Sequence, residues 1–497
     1  MKINHKHTAV AILCSAAILF LGTLTACPFC LSPPQTFVEQ ISRADIVVIA
    51  ELLRFRVLDN ETRPESTLRI REVLRGEELS KSTPSLAVGQ VIVVEKEAAG
   101  KTGDLFLMYG DLPIRASDSS NTQLTVASSS GPSNSTFATV SPATFSSATT
   151  VDTTATPVSQ SQPASSRPAF TDLPLPDTQF ISKSSLAVSE LISWNDVSQV
   201  SSETVEYLRR LPGKFVDHSD RLRFYLTYLE HPEPMVAIDA WAEFGNSTYD
   251  QVRSVRKDMP KGQLRAWIAD PSTSPERLGL YGMMLGLCGE ASDADFLLSQ
   301  IFESPLPVIG EAMFCEQFSG IPGSALLRTI ESTDLASPKV QFGSEGLLGG
   351  YLLLAGEHGL DTLDAKFATS EVIAYSYCQA LQFVWTYEPT LMDPDRLRLS
   401  MRKLLAADQI QSTAIINLCR WEDWDVLPHL QSSFESIEDD ASKRAVIEFS
   451  KVYLSSIKKK QTDATHKEAS EAFLAKTRMS HPELFSSNSG VFGPPRP

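Results

Sequence analysis

The spacing of apolar and polar positions changes several times along the chain. Residues 8–24 are almost all apolar and carry no charge. Residues 35–42 have helical spacing, and 44–53 is a run rich in Ile, Val and Leu that predicts a buried strand. Within 67–74, Leu68, Ile70 and, less cleanly, Val73 fall on one side while Arg69 and Arg71 fall on the other, the period of a half-buried strand. Two more strands are expected at 90–95, centred on Val91-Ile92-Val93-Val94, and at 104–109, just after Gly103. About five strands in about eighty residues predict a small barrel. From 116 to 170 the periodicity is lost, roughly half of the residues are Ser or Thr, and charges nearly vanish. Such a segment cannot bury enough apolar surface to offset its chain entropy, so a disordered linker is expected.

After residue 201 the period is helical. Leu222, Tyr225, Leu226 and Leu229 recur three and four apart, His231-Pro232-Glu233-Pro234 interrupts them, and 235–244 resumes the pattern. Pro234 suits the first turn of a helix, and Gly245 is expected to end that helix as a C′ glycine. The chain also repeats itself. Residues 279–290 return 67 positions later at 346–357 with seven of twelve identities, and 414–420 is a weaker third copy that aligns Cys419 with Ala355 and Cys288. Gly245 lies 44 positions before Gly289, an interval that fits one pair of helices. Gly282 and Gly286 predict close packing between helices; the apolar run around them is too short to span a membrane.

Two resemblances follow from these patterns. The pair Cys27 and Cys30, then Ser42-Arg43-Ala44-Asp45-Ile46-Val47-Val48, Leu68-Arg69-Ile70-Arg71-Glu72-Val73-Leu74-Arg75-Gly76 and Asp104-Leu105-Phe106-Leu107-Met108-Tyr109 resemble the netrin-like module, the OB-type barrel of tissue inhibitors of metalloproteinases. That resemblance implies a role for Cys27, whose place is held in the inhibitors by a cysteine with a zinc-chelating free amine. The later cysteines that would tie down Cys27 and Cys30 are missing here. The second resemblance, carried best by Leu229-Glu230-His231-Pro232-Glu233-Pro234-Met235-Val236-Ala237, is to HEAT repeats. It implies a stacked helical superhelix with a concave, protein-binding face.

Charge and the amino-terminal residues add the compartment. The net charge is −16, which repels nucleic acid and anionic membrane surfaces, so no nucleic-acid partner is expected. Lys2 and Lys6, the apolar run and Leu24-Thr25-Ala26-Cys27 have the form of a secretion signal. Its last four residues resemble the lipobox of bacterial lipoproteins, which implies lipidation of Cys27. Cleavage without lipid, or an uncleaved amino-terminal helix, are the alternatives; each places the body of the protein outside the cytoplasm. Cys27-Pro28-Phe29-Cys30 lacks the preceding strand of a thioredoxin site, the histidine of a haem site and two further zinc ligands. A local Cys27–Cys30 disulfide, or a lipidated Cys27 beside a free Cys30, is expected instead. Cys288, Cys315, Cys378 and Cys419 are scattered through apolar patterns and read as small buried hydrophobes.

Candidate chemistry is sparse. Gly100-Lys101-Thr102 has Glu95 where a phosphate loop needs its first glycine, and it reads as a turn. Gly-x-Ser-x-Gly and His-Glu-x-x-His are absent. Trp421, Glu422, Asp423, Trp424 and Asp425 form a candidate partner-binding patch, weighed against core packing of the tryptophans and helix capping by the acids. His231 and His429 neighbour prolines at helix starts and read as packing or capping residues. The expected order is a signal peptide at 1–26, an OB-like β-domain at 27–113, a linker at 114–172, an all-α HEAT-like solenoid at 173–485 and a disordered tail at 486–497. The expected function is an exported, non-enzymatic interaction protein for a protein or peptide partner, held to a membrane through Cys27 or an uncleaved helix, with no catalytic residue, cofactor or metal. An inhibitor acting through the β-domain and an envelope enzyme with an unrecognised site are the alternatives.

Overall fold

The computed structural model describes residues 27–30, 33–58, 63–76, 87–112, 192–213, 215–302, 343–369, 373–459 and 463–485. The expectations for the signal peptide, linker, tail and Cys315 lie outside them. The chain forms two compact units, Ala44–Ser201 and Met1–Arg43 with Ser202–Pro497.

The first unit is a five-stranded antiparallel sheet in the order β3-β2-β1-β4-β5. Its strands are β1 (Ile46–Leu58), β2 (Arg63–Arg75), β3 (Val91–Val94), β4 (Leu105–Asp111) and β5 (Ser193–Val200). Period-two alternation sends Ile46, Val48, Ala50 and Leu52 of β1 into one core with Leu68, Ile70, Ile92, Val94, Phe106, Met108 and Trp194. Four strands lie where the hydrophobic pattern puts them. The fifth does not come from 44–109: it is β5, inside the range read as helical from 173 onward. Its residue in that core, Trp194, packs at Gly110 of β4, where a Cβ would lie 3.1 Å from the indole. So little alternation is not legible as a strand without its partner. Lys101-Thr102-Gly103-Asp104 is a turn, closed by Asp104 N–H to the Lys101 carbonyl at 3.0 Å with Gly103 at φ 99°.

The second unit contains α1 (Phe37–Arg43), α2 (Ser202–Arg210), α3 (His218–Leu226), α4 (Pro234–Gly245), α5 (Tyr249–Ser254), α6 (Lys261–Ala269), α7 (Pro275–Cys288) and α8 (Ala291–Phe302). It continues with α9 (Ser344–Ala355), α10 (Glu357–Thr369), α11 (Ala374–Tyr387), α12 (Pro394–Lys403), α13 (Gln411–Arg420), α14 (Leu427–Ser432), α15 (Asp440–Lys458) and α16 (Lys467–Ser480). Local chemistry sets many starts. Asp217, Asp393 and Asp439 accept from first-turn amides, Thr248 and Gln251 form a capping box, and Pro234 occupies a first turn.

The repeated motif has a packing reason. Its two copies are α7 and α9, which lie parallel with Gly279 beside Gly346 and Gly286 beside Gly350. A Cβ on Gly286 would fall 2.5 Å from the Gly350 Cα, and one on Gly350 would collide with the Gly282 carbonyl. The same parallel relation continues. Ser344 meets Ser376 at 2.5 Å and Gly349 meets Phe383, joining α9 to α11. Asn417 Nδ2 lies 3.5 Å from Cys378 Sγ, and Trp421 stacks on Trp385 at 4.4 Å, joining α11 to α13. Arg396 and Ser400 of α12 bond Asp364 of α10.

Two expectations need correction. Residues 27–43 belong to the helical unit, so the sheet unit begins at Ala44 and not at Cys27. Gly245 is not a left-handed cap: it is the last residue of α4, which is capped by Asn246. A glycine stands there because Pro33 packs on it, 2.7 Å from where a Cβ would sit.

Candidate functional site

The amino-terminal segment and the clefts beside it concentrate the unusual chemistry of the helical unit. Cys27 and Cys30 are joined by a disulfide with Cα atoms 5.3 Å apart. Only Pro28 and Phe29 lie inside this ring, so closing it directs Phe29. The Phe29 ring enters a slot whose walls lack side chains. A Cβ on Gly349 would lie 2.5 Å from the ring, and one on Gly279 would lie 2.7 Å from the Phe29 carbonyl. The slot is closed by Phe383, 4.7 Å from Phe29 between centroids. Cys27 N–H donates to the Gly245 carbonyl at 3.0 Å, at the negative end of the α4 dipole. Asn246 Nδ2 donates to the Pro34 carbonyl at 3.1 Å.

Thr36 and Glu39 then cap α1 reciprocally: Thr36 N–H donates to Glu39 Oε2 at 3.2 Å and Glu39 N–H to Thr36 Oγ1 at 3.3 Å. The next amide, Phe37 N–H, is left for another acceptor and finds Asp239 Oδ1 at 2.6 Å. Tyr207 Oη donates to Asp239 Oδ2, also at 2.6 Å. Asp239 is 4% exposed, and burial pushes its carboxyl up to about 7 even though both donors favour the ionised form. One turn further along α4, Glu243 takes two bonds from Arg221 Nη2, at 2.9 and 2.7 Å.

Two polar clefts flank this cluster. One, of about 120 Å³, is lined by Thr36, Glu39, His218, Arg221, Glu243 and Gln251. The other, of about 260 Å³, is lined by Glu203, Glu206, Tyr207, Arg210, Tyr228 and His231. In the larger cleft Arg210 and Arg209 bond Glu206 and hold it below the usual carboxylate range. His231 Nδ1 accepts from Glu233 N–H at 3.1 Å, which orients that ring as a local cap. The clefts offer charge and hydrogen bonds to a side chain or a few waters. Among the described residues no group of three or more His, Cys, Asp or Glu side chains is arranged to hold a metal ion.

The acidic aromatic patch is only partly a surface. Trp421 and Asp423 are each 3% exposed; Glu422 and Asp425 face solvent, and Trp424 is half-buried against Phe449 and Tyr453. Asp423 caps no helix through its side chain. It pairs with Arg402, whose Nε lies 2.7 Å from Oδ2, because α12 brings that guanidinium to the turn. Arg398 bonds the Trp421 carbonyl at 2.6 Å. Cys378 and Cys419 are buried, with thiols pushed up to about 12 by desolvation, and Cys288 is half-buried with its thiol at about 11.

Asp239 and the glycine slot were missed from sequence. The signals were present: Asp239 and Glu243 stand four apart in an otherwise apolar helix, and the glycines recur in the repeat. No known protein family, curated protein or solved structure matches the chain.

Proposed function

We propose that this chain is an exported, non-enzymatic interaction protein that binds a protein or peptide partner through its helical unit. The observation that carries the reading is the parallel succession of α7, α9, α11 and α13, through backbone contact at glycines between α7 and α9 and through side-chain contacts from α9 to α11 and from α11 to α13. That succession is the building rule of a helical solenoid, and it generates a long continuous surface suited to a macromolecular partner. We read the sheet as a small OB-like barrel, because Ile92 and Val94 of one edge strand share a core with Trp194 of the other.

Export is supported by the charged and apolar pattern before Cys27 and by the Cys27–Cys30 disulfide, a bond of oxidising compartments. A lipid thioether and the disulfide compete for the same Cys27 sulfur, and we favour the unlipidated form. No helix among the described residues is long and apolar enough to cross a membrane. The amine that a netrin-like inhibitor would offer to zinc corresponds here to a nitrogen bonded to Gly245, and Asp423 is already paired with Arg402. No observation therefore favours the inhibitor or the enzyme reading.

The net charge of −16 favours a basic partner, and Glu422, Asp425 and the open edge of Trp424 offer one acidic contact. The test is affinity capture from envelope extract with the full chain and with Glu422→Lys/Asp425→Lys. A specific protein retained by the first and weakened in the second supports the reading. Capture of no specific partner by the full chain sinks it.

A further inference from the structure

We propose that the Cys27–Cys30 disulfide is a redox latch that holds the amino-terminal segment in the glycine slot of the helical unit. Cys27 is 4% and Phe29 5% exposed, whereas Cys30 is half-buried, so an attacking thiolate reaches the ring at the Cys30 sulfur. Reduction is then a balanced exchange with a dithiol. The dithiol's thiolate bonds to Cys30 Sγ, and the Cys27 sulfur leaves and takes a proton. The dithiol's second sulfur closes on its first, releasing Cys30 as a thiolate that takes the second proton. The cystine gains two electrons and two protons, and the dithiol becomes a disulfide.

The geometry links this exchange to the repeats. Phe29 fits because the four-residue ring fixes its direction and because Gly279 and Gly349 leave room for it. The slot lies on α7, α9 and α11, the helices that begin the parallel row. Opening the ring restores torsional freedom at Pro28 and Phe29 and weakens the Cys27 bond to Gly245, so the row loses the residue that fills its end. Pro34 and Phe37 keep their own attachments to Asn246 and Asp239, so release begins at the cysteine end. Cys288, Cys378 and Cys419 are already free thiols, and a dithiol leaves them unchanged.

The test is hydrogen exchange of the full chain, purified oxidised, with and without dithiothreitol, with alkylation and mass measurement to count free thiols. The expected result is that exchange in 275–288 and 344–355 rises by about tenfold on reduction while 440–458 stays protected. Phe29→Ala should reproduce that rise without reductant, with the disulfide intact. Unchanged exchange after both thiols have been alkylated would overturn the latch. So would loss of protection throughout the helical unit, which would make the bond a general structural staple. Finding Cys27 and Cys30 as free thiols in protein isolated from its native oxidising compartment would overturn it as well.

Discussion

The backbone N–H of Phe37 donates to Asp239 Oδ1 at 2.6 Å, although the two residues lie 202 positions apart. With Tyr207 on the other oxygen, this carboxylate ties the amino-terminal segment to α2 and α4.

Asp239 should make stability depend on pH. Burial raises its folded pKa to about 7, whereas an unfolded aspartate titrates near 3.9. Between these values the folded state binds more protons than the unfolded chain, so the contribution of Asp239 to stability falls as pH rises through the window. Urea unfolding at pH 5 and pH 8 should show Asp239→Asn removing on the order of 2 kcal/mol of that dependence. Equal pH dependence in the two proteins would refute the assignment. Asp239→Ala should destabilise by about 2–3 kcal/mol at neutral pH, because Tyr207 and Phe37 lose their acceptor.

The glycines of the repeat should divide by location. Gly346→Ala places a methyl against the Gly279 backbone and forces α7 from α9, which should destabilise by about 2–4 kcal/mol. Gly262 lies on α6 with nothing within 4 Å of an added Cβ. Gly262→Ala should therefore stabilise by about 0.5 kcal/mol through helix propensity. Thermal melts of both variants separate a steric role from a generic glycine effect.

Glu422 holds φ 54° with its side chain in solvent. It takes the left-handed position after α13, where Asp423 N–H reaches back to the Leu418 carbonyl at 2.9 Å. Glu422→Gly should raise stability by about 0.5–1 kcal/mol, read as an upward shift in Tm. A lower Tm would mean that the Glu422 side chain makes a contact that outweighs its backbone strain.

Arg402→Met should destabilise by about 2–3 kcal/mol, since it leaves Asp423 buried without its guanidinium. The double variant Arg402→Met/Asp423→Leu should recover most of that loss. If the single change proves neutral, the pair is already screened by solvent on the Arg402 side.

The mature protein from its native source should begin at Cys27 and weigh two hydrogens less than its dithiol form. Intact mass with and without reductant measures both. A mass increased by a diacylglyceryl group would place lipid on the Cys27 sulfur and exclude the latch.

Periodicity by itself determined the coarse architecture. A continuous apolar run specifies β1, alternation specifies β2, short apolar runs specify β3 and β4, the stretch rich in Ser and Thr separates two kinds of pattern, and spacings of three and four specify the helices after 201. Those signals are local, because side-chain direction along a strand or helix depends only on near neighbours in the chain. The duplicated glycine motif even announced that two backbones would meet. Only the tertiary structure decided what met them. β5 lacks a clean alternation and is a strand because Gly110 makes room for Trp194. Residues 27–43 sit in the helical unit because Phe29 matches a slot formed by Gly279, Gly349 and Phe383, three positions that are adjacent only after folding. Asp239 holds its shifted pKa for the same reason: it is buried by segments far apart in the chain, against the pull of its two donors, and the energy of a long-range contact leaves no periodic trace in sequence.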